Sequence, residues 1–226
     1  MIGKKSIIAV IPARLKSKRL AKKNIKILGG KPLICWTIDQ AKKSKYIDEI
    51  IVSTESRKIA KIAEKNGINI PFLRPSNLAS DKISPVKACL HLLKKIKKKY
   101  DYILVLQPTS PLRKSKNIDD AIKFIYKKKN KSVISIYCSK LNKKHQIYLT
   151  KKNFLTKNKK KRKNTKKNFY LNGAIYIART NFFIKKGNFF TKVTKPFFMP
   201  EKISHDIDSL TDFMKVKNIF KKKKYE

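Results

Sequence analysis

The chain has 226 residues, with 58 Lys and Arg against 14 Asp and Glu, and a formal charge of +44 at pH 7. A hydrophobic fraction of 41% at this length is enough for a sizeable core and excludes wholesale disorder. No apolar run approaches the roughly 20 residues that span a bilayer, and the scattered Cys35, Cys89 and Cys138 are expected to be buried free thiols rather than a disulfide or zinc framework.

Only seven of the bases are Arg; the other 51 are Lys, spread through helices, turns and the C-terminus. The sign of the charge suggests an anionic partner. Proteins that read nucleic acid usually concentrate charge on one face and use Arg for bidentate contacts, and no helix-turn-helix, zinc-finger or aromatic RNA-binding signature is visible, so specific nucleic-acid binding is not expected. Lys4-Lys5 followed by Ser6 to Ile11 is too short an apolar stretch for a signal peptide. It runs directly into Pro12 and Arg14, and reads as the first strand of a cytoplasmic protein.

Short apolar runs then alternate with helical patterns, the mark of βαβ units around a parallel sheet. After the strand at Ser6 to Ile11, Pro32 to Lys43 reads as a helix with Leu33, Trp36, Ile38 and Ala41 on its apolar face. Glu49 to Ser53 is a strand, and Ser56 to Asn66 a helix closed by Gly67. Ile70 to Leu73 is expected to be a short third strand, Pro85 to Tyr100 a helix and Asp101 to Leu106 a strand. Asn117 to Lys128 and Ser132 to Tyr137 follow as helix and strand. Residues 157–167, nearly all Lys, Arg and Asn, form an exposed loop or hairpin tip. Asn172 to Ala178 is a strand, another lies near Phe197 to Met199, and Thr211 to Phe220 is a terminal helix. The fold class is α/β, a doubly wound, mostly parallel sheet in one domain over 1–226.

In such sheets ligands bind beyond the carboxyl ends of the strands. The loop Ile11 to Asn24 (IPARLKSKRLAKKN) is long for a βα turn and carries Arg14, Lys18, Arg19, Lys22, Lys23 and the Ser17 hydroxyl, which together suit a polyphosphate. It is neither a P-loop nor a dinucleotide fingerprint, and composition alone makes it a basic surface loop. In Leu106 to Arg113 (LQPTSPLR), two prolines stiffen a turn that presents Gln107. Arg74 to Asp81 (RPSNLASD) leads to Ser84, which also fits a helix cap before Pro85. His91 reads as structural, and His205 as a weaker ligand candidate beside the acids.

The acids are the sharper signal. None occurs from Ala121 through Pro200, and then Glu201, Asp206, Asp208 and Asp212 arrive within twelve residues. In an extended segment, Asp206 and Asp208 project to one side and suit a shared hard cation such as Mg²⁺. Ser209 and Asp212 have the spacing of a capping box.

In order, IPARLKSKRLAKKN, PLICWTI, IIVST, RPSNLASD, LQPTSPLR, NGAIY (172–176) and DID (206–208) resemble the acylneuraminate cytidylyltransferases, which make CMP-activated sialic acids and related sugars. The resemblance covers about Ile7 to Ile219. It implies a Rossmann-like nucleotidyltransferase fold, CTP and a nonulosonic acid as substrates, pyrophosphate as product, and Mg²⁺ as cofactor. By the same resemblance, Arg14, Ser17, Lys23, Asn24, Arg74 and Ser84 bind nucleotide, and Gln107, Tyr176, Phe189 and Phe190 the sugar. Asp206 and Asp208 bind metal, and together with Arg14 and Lys23 they form the catalytic set. It further implies a homodimer, with residues 138–168 as a small dimerisation arm. The NGAIY form leans toward sialic or legionaminic rather than pseudaminic acid. CMP-KDO synthetases share the fold and part of the first motif. Lys16 stands where the family usually has Gly, and Tyr170 where it often has Arg.

Overall fold

The computed structural model describes residues 1–80, 83–140, 145–162, 165 and 167–222. Asp81 of the third motif lies outside them, as do residues 141–144, 163, 164 and 166 of the expected arm.

Strand β1 (Ile7–Pro12) leads through a short hairpin, β2 (Ile27–Leu28) and β3 (Lys31–Pro32), into helix α1 (Leu33–Lys42). Then come β4 (Glu49–Ser53), α2 (Arg57–Lys65), α3 (Pro85–Lys95), β5 (Tyr102–Leu106), α4 (Ser115–Lys127) and β6 (Ser132–Ser139). The remainder is β7 (Gln146–Leu149), β8 (Leu155–Thr156), β9 (Asn168–Arg179), α5 (Thr180–Lys186), β10 (Thr194–Phe198) and α6 (Leu210–Lys222).

The main sheet runs β10-β6-β9-β5-β1-β4, with β7 added to β9 and β8 to β7. β1 pairs in parallel with β4 and β5, placing Val10 between Ile51 and Val105. β1 is apolar on both faces because both are covered: Ile7, Ala9 and Ile11 join one core cluster with Ile34, Ile59 and Ile122, while Ile8 and Val10 join another with Cys89, Leu92 and Phe183. Each buried Ile, Val, Leu or Phe among them contributes about 1.5–3 kcal/mol by leaving water. A third cluster lies at the carboxyl end of the sheet, where Phe213, Val216 and Phe220 of α6 meet Leu20, Leu28, Leu33, Leu112 and Ile207. It clamps together three of the loops that carry the sequence motifs.

Within the six-strand path one strand breaks the parallel pattern. β9 lies antiparallel between β5 and β6. From the Ile134–Tyr176 pair to the Ile136–Leu171 pair, β6 advances two residues and β9 five, so β9 bulges through Asn172 to Ile175. Asn172 is buried there; its side chain accepts from Ser135 Oγ at 2.6 Å and donates to Ser204 Oγ at 3.0 Å.

Several expectations need correction. Ile70 to Leu73 is an irregular connection: Pro71 has no N–H to donate, and the segment is held through Arg74 N to Thr54 O, 2.7 Å. α3 stops at Lys95 because Ile96 is extended, leaving the lysine run 97–99 outside the helix. Cys138 is exposed, since it faces outward between buried Tyr137 and Ser139, whereas Cys35 and Cys89 are buried as expected. Helix α5 and the hairpins β2–β3 and β7–β8 had no strong periodicity to announce them. The described part of 138–168 packs on its own body: Ile147, Leu149 and Leu155 are buried with Phe169. In residues 157–167 the described side chains are exposed, as their composition predicts. No helix among the described residues is long and apolar enough to cross a membrane.

Candidate active site

Beyond the carboxyl ends of β1 and β5 lies a cleft of about 510 Å³. Arg14, Ser17, Lys18, Arg19, Lys23 and Asn24 line one wall, with Arg74, Gln107 and Asp208 also reaching it. The basic loop owes its shape to neutralised backbone groups. Ala13 N donates to Ser53 O at 3.0 Å, Leu15 N to Glu55 Oε1 at 2.8 Å, and Asn24 Nδ2 to Arg14 O at 2.8 Å. Lys22 adopts a left-handed conformation, φ 49°, to enter the 3₁₀ turn Lys23–Ile25, while Leu20 anchors the loop in the third cluster. Glu55 escaped the sequence reading. Besides holding Leu15, it pairs with buried Arg74 at 2.9 Å, so Arg74 reaches the cleft as a braced group tied to the loop opposite. An acid two residues past the end of strand β4 in so basic a chain was the available signal.

The acidic segment is pinned from behind. Ile207 is fully buried and its N–H donates to Thr109 O at 2.9 Å, while its carbonyl accepts from Lys23 Nζ at 2.7 Å. With Ile207 turned into the core, its neighbours flank the opposite side. Asp208 takes Lys23 at 3.2 Å and Arg19 at 3.0 Å. Asp206 is different: its Oδ1 is sealed from solvent and has no hydrogen-bond partner. Burial pushes the Asp206 carboxyl up to about 6, outweighing the nearby Thr109 hydroxyl, and Asp208 adds to the shift. An orphaned, buried carboxylate oxygen beside a second carboxylate is a donor set that fits a divalent cation. Among the described residues no cluster of three or more His, Cys, Asp or Glu could hold a metal, so any ion here rests on this pair and on substrate oxygens. Ser209 and Asp212 form the expected reciprocal cap on α6, with Ser209 N to Asp212 Oδ2 at 2.9 Å and Asp212 N to Ser209 Oγ at 3.2 Å.

The bulge in β9 serves Asp206. Gly173 sits at φ +69°, and a Cβ there would lie 3.2 Å from Asp206 Oδ2. Gly173→Ala is therefore expected to cost about 1 kcal/mol in backbone strain and to displace the carboxylate. The expected result is a turnover reduced at least about tenfold with a folded protein, read by steady-state kinetics alongside circular dichroism; unchanged turnover would remove the bulge from the site.

A second pocket, about 230 Å³, opens past Gln107 and Pro85, both of which also line the cleft. Tyr176, Phe189 and Phe190 form its aromatic wall, with ring centroids of Tyr176 and Phe189 5.9 Å apart and Phe183 stacked behind at 4.3 Å. Burial drives the Tyr176 hydroxyl far above its usual range, with the Asp206 charge contributing, so it stays protonated. The four sugar-assigned residues thus share one pocket. Ser84 lines this pocket rather than the cleft with the other nucleotide-assigned residues, and its Oγ accepts from Val86 N at 3.2 Å, capping α3. Tyr170 lines neither cavity. It is fully buried beside Tyr137, 5.6 Å between centroids. Lys16 is exposed, and His91 stacks edge-on against Phe72 at 5.6 Å, consistent with a structural role.

Behind both cavities is Arg113, the last residue of LQPTSPLR and fully buried. Its Nη1 donates to Gln107 O at 3.2 Å and Ala174 O at 2.7 Å, and its Nη2 to Thr37 Oγ1 at 2.8 Å. Burial lowers its pKa to about 9, which still leaves a cation at neutral pH. One guanidinium thus ties the Gln107 turn, the β9 bulge and α1 together.

Residues 8–225 match the family model described as cytidylyltransferase. The chain is 38% identical over 213 residues to the CMP-N,N'-diacetyllegionaminic acid synthase of Legionella pneumophila, covering 89% of this chain and 90% of that protein. It is 36% identical to the N-acylneuraminate cytidylyltransferase of Escherichia coli, over 92% of this chain but 50% of that one. The fold also matches a CMP:2-keto-3-deoxy-manno-octonic acid synthetase solved with CTP, TM-score 0.75 at 14% identity, over 96% of this chain and 99% of that chain. With the motifs, the fold and these matches in agreement, the chain belongs to the acylneuraminate type of the cytidylyltransferase family.

Proposed function

We propose that this cytidylyltransferase joins the CMP moiety of CTP to the anomeric hydroxyl of a nonulosonic acid of the sialic or legionaminic type. The observation that carries the reading is the pairing of two cavities through Gln107 and Pro85: a Lys/Arg-lined cleft reached by Asp208, with Asp206 buried against the β9 bulge, and an aromatic pocket alongside. The first suits a triphosphate and the second the apolar face of a sugar with its acyl substituents.

In this scheme the hydroxyl oxygen forms a bond to the α-phosphorus, the bond to the β-phosphate oxygen breaks, pyrophosphate leaves and the hydroxyl proton is released. Arg14, Lys18, Arg19 and Lys23 neutralise the triphosphate, and the Ser17 hydroxyl and loop N–H groups orient it. Lys23, held by Ile207 O and Asp208, is preset between nucleotide and acids and loses little freedom on binding. Arg74, braced by Glu55, and Asn24, bonded to Arg14 O, keep the nucleotide wall rigid. Gln107 and the aromatic wall seat the sugar acid. Asp206 and Asp208 would hold Mg²⁺, which supplies charge neutralisation at the α-phosphate. We place the enzyme in the cytoplasm as a homodimer, with 138–168 the segment offered to a partner.

Incubation with CTP, Mg²⁺ and a panel of sialic, legionaminic and pseudaminic acids and KDO is expected to release pyrophosphate, fastest with a sialic- or legionaminic-type acid. Fastest turnover with KDO would move the enzyme to the octonic-acid branch, and silence with all four would overturn the reading.

A further inference from the structure

The aromatic pocket contains one charged group among its described lining residues, Lys157. Its Nζ stands over the Phe190 ring, 5.6 Å from the centroid. No Asp or Glu lines the same pocket to neutralise it. In a chain with 51 Lys an exposed lysine ordinarily needs no explanation, but the backbone on both sides of this one is fastened. On the N-terminal side, Leu155 is buried in the core and Thr156 is paired with Tyr148 across the β7–β8 hairpin. On the C-terminal side, Asn158 N donates to Thr156 Oγ1 at 3.1 Å, and Asn158 Oδ1 accepts from Lys160 N at 2.9 Å, capping the turn Lys159–Lys161. The hairpin tip is held in turn by Lys195 Nζ, which donates to Lys152 O at 2.8 Å and lies 3.8 Å over the Phe154 ring. Phe190 is fixed as well, its N–H donating to Asn188 Oδ1 at 3.0 Å. The result is an ammonium on a short tether at the mouth of an otherwise uncharged, aromatic-walled pocket.

We propose that Lys157 is the specificity-determining residue for the acid group of the sugar, its ammonium pairing with the substrate carboxylate. The inference rests on the reading of the enzyme as acting on a sugar acid. The phosphates have their own cations in the neighbouring cleft, and Lys157 is not among them. A carboxylate beside the reacting carbon must lie near Gln107, where the two cavities meet, and the flexible four-carbon stem of Lys157 lets its charge swing from the Phe190 face toward that point. Over an aromatic wall the pair is partly desolvated, where an ammonium–carboxylate contact is stronger than on an open surface.

Lys157→Met and Lys157→Arg test this in the full-length enzyme. Lys157→Met is expected to raise KM for the sugar acid about 10–100-fold, with KM for CTP and kcat within about threefold of wild type, and Lys157→Arg to recover most of the loss. The acid and its carboxamide are then compared as competing ligands. Wild type should prefer the acid about 10–100-fold, and Lys157→Met by less than about threefold. Unchanged KM, or equal weakening of acid and amide, overturns the inference while leaving the cytidylyltransferase reading intact. A wild-type enzyme that turns over no sugar acid overturns both.

Discussion

Asp206→Asn is expected to abolish turnover and, at the same time, to make the metal-free protein more stable above pH 6. Loss of one of the two acids proposed to hold the cation should lower turnover about a thousandfold. The stability gain follows from Oδ1, which is buried without a partner. The carboxyl ionises near 6 in the folded protein and near 3.8 in the unfolded chain. Between those values the folded state keeps a proton that the unfolded state has released, so stability falls as pH rises through the window and stays lower above it. The penalty is about 2 kcal/mol, discounted for the partial exposure of the residue. Asn carries no such charge, so its melting temperature at pH 8 should exceed wild type by roughly 4–8 °C, the gap closing toward pH 4. Millimolar Mg²⁺ should raise the wild-type melting temperature at pH 8 and leave the variant unmoved. Scanning calorimetry across pH 4–8 measures all three, and equal melting at pH 8 would show that the carboxylate is not strained.

Arg113→Met is expected to be the most damaging single change outside the cavities. The guanidinium satisfies two buried carbonyls, Gln107 O and Ala174 O, and the Thr37 hydroxyl. A thioether removes a buried charge that has no counter-ion among the described residues, which recovers some desolvation energy, but it takes the guanidinium donor from three polar groups at about 1–3 kcal/mol each, and Gln107 O keeps only the 3.4 Å contacts from Thr37 Oγ1 and Ser110 N. The net loss should be about 3 kcal/mol, or roughly 6–12 °C in melting temperature. Arg113→Lys keeps the charge but reaches fewer acceptors, and should fall between. Because Gln107 and the β9 bulge lose their common tie, the KM for the sugar should rise more than that for CTP. Denaturant titration with kinetics at a permissive temperature distinguishes these effects; a variant as stable as wild type would mean the loop and bulge hold each other without Arg113.

Much of the site was legible because its chemistry is compositionally rare in this chain. Two acids at period two, after eighty residues without any, stood out against the lysines, as did a long proline-led basic loop after an apolar strand. The four residues assigned to the sugar fall in one pocket, although Tyr176 and the Phe189–Phe190 pair lie on opposite sides of α5 in sequence. Glu55, Arg113 and Lys157 were not legible. Their roles depend on partners as far as 76 residues away or on a ring contact, and nothing in a lone Glu, a terminal Arg of a motif or one more Lys reports the partner.

By itself the sequence determined the α/β class, most helix and strand positions and the motifs that place the chain in its family. These are written in local periodicity, in turn residues and in charges placed close together. The tertiary structure alone decided that β9 runs antiparallel between β5 and β6 and that its bulge makes room for the Asp206 carboxylate. It also decided that Arg113 ties the turn after β5 to the β9 bulge, and that the basic hairpin folds back to set one lysine over the aromatic pocket. Strand order and burial are set by contacts between distant segments, each stabilised only when the whole sheet has formed, so no window of sequence carries them.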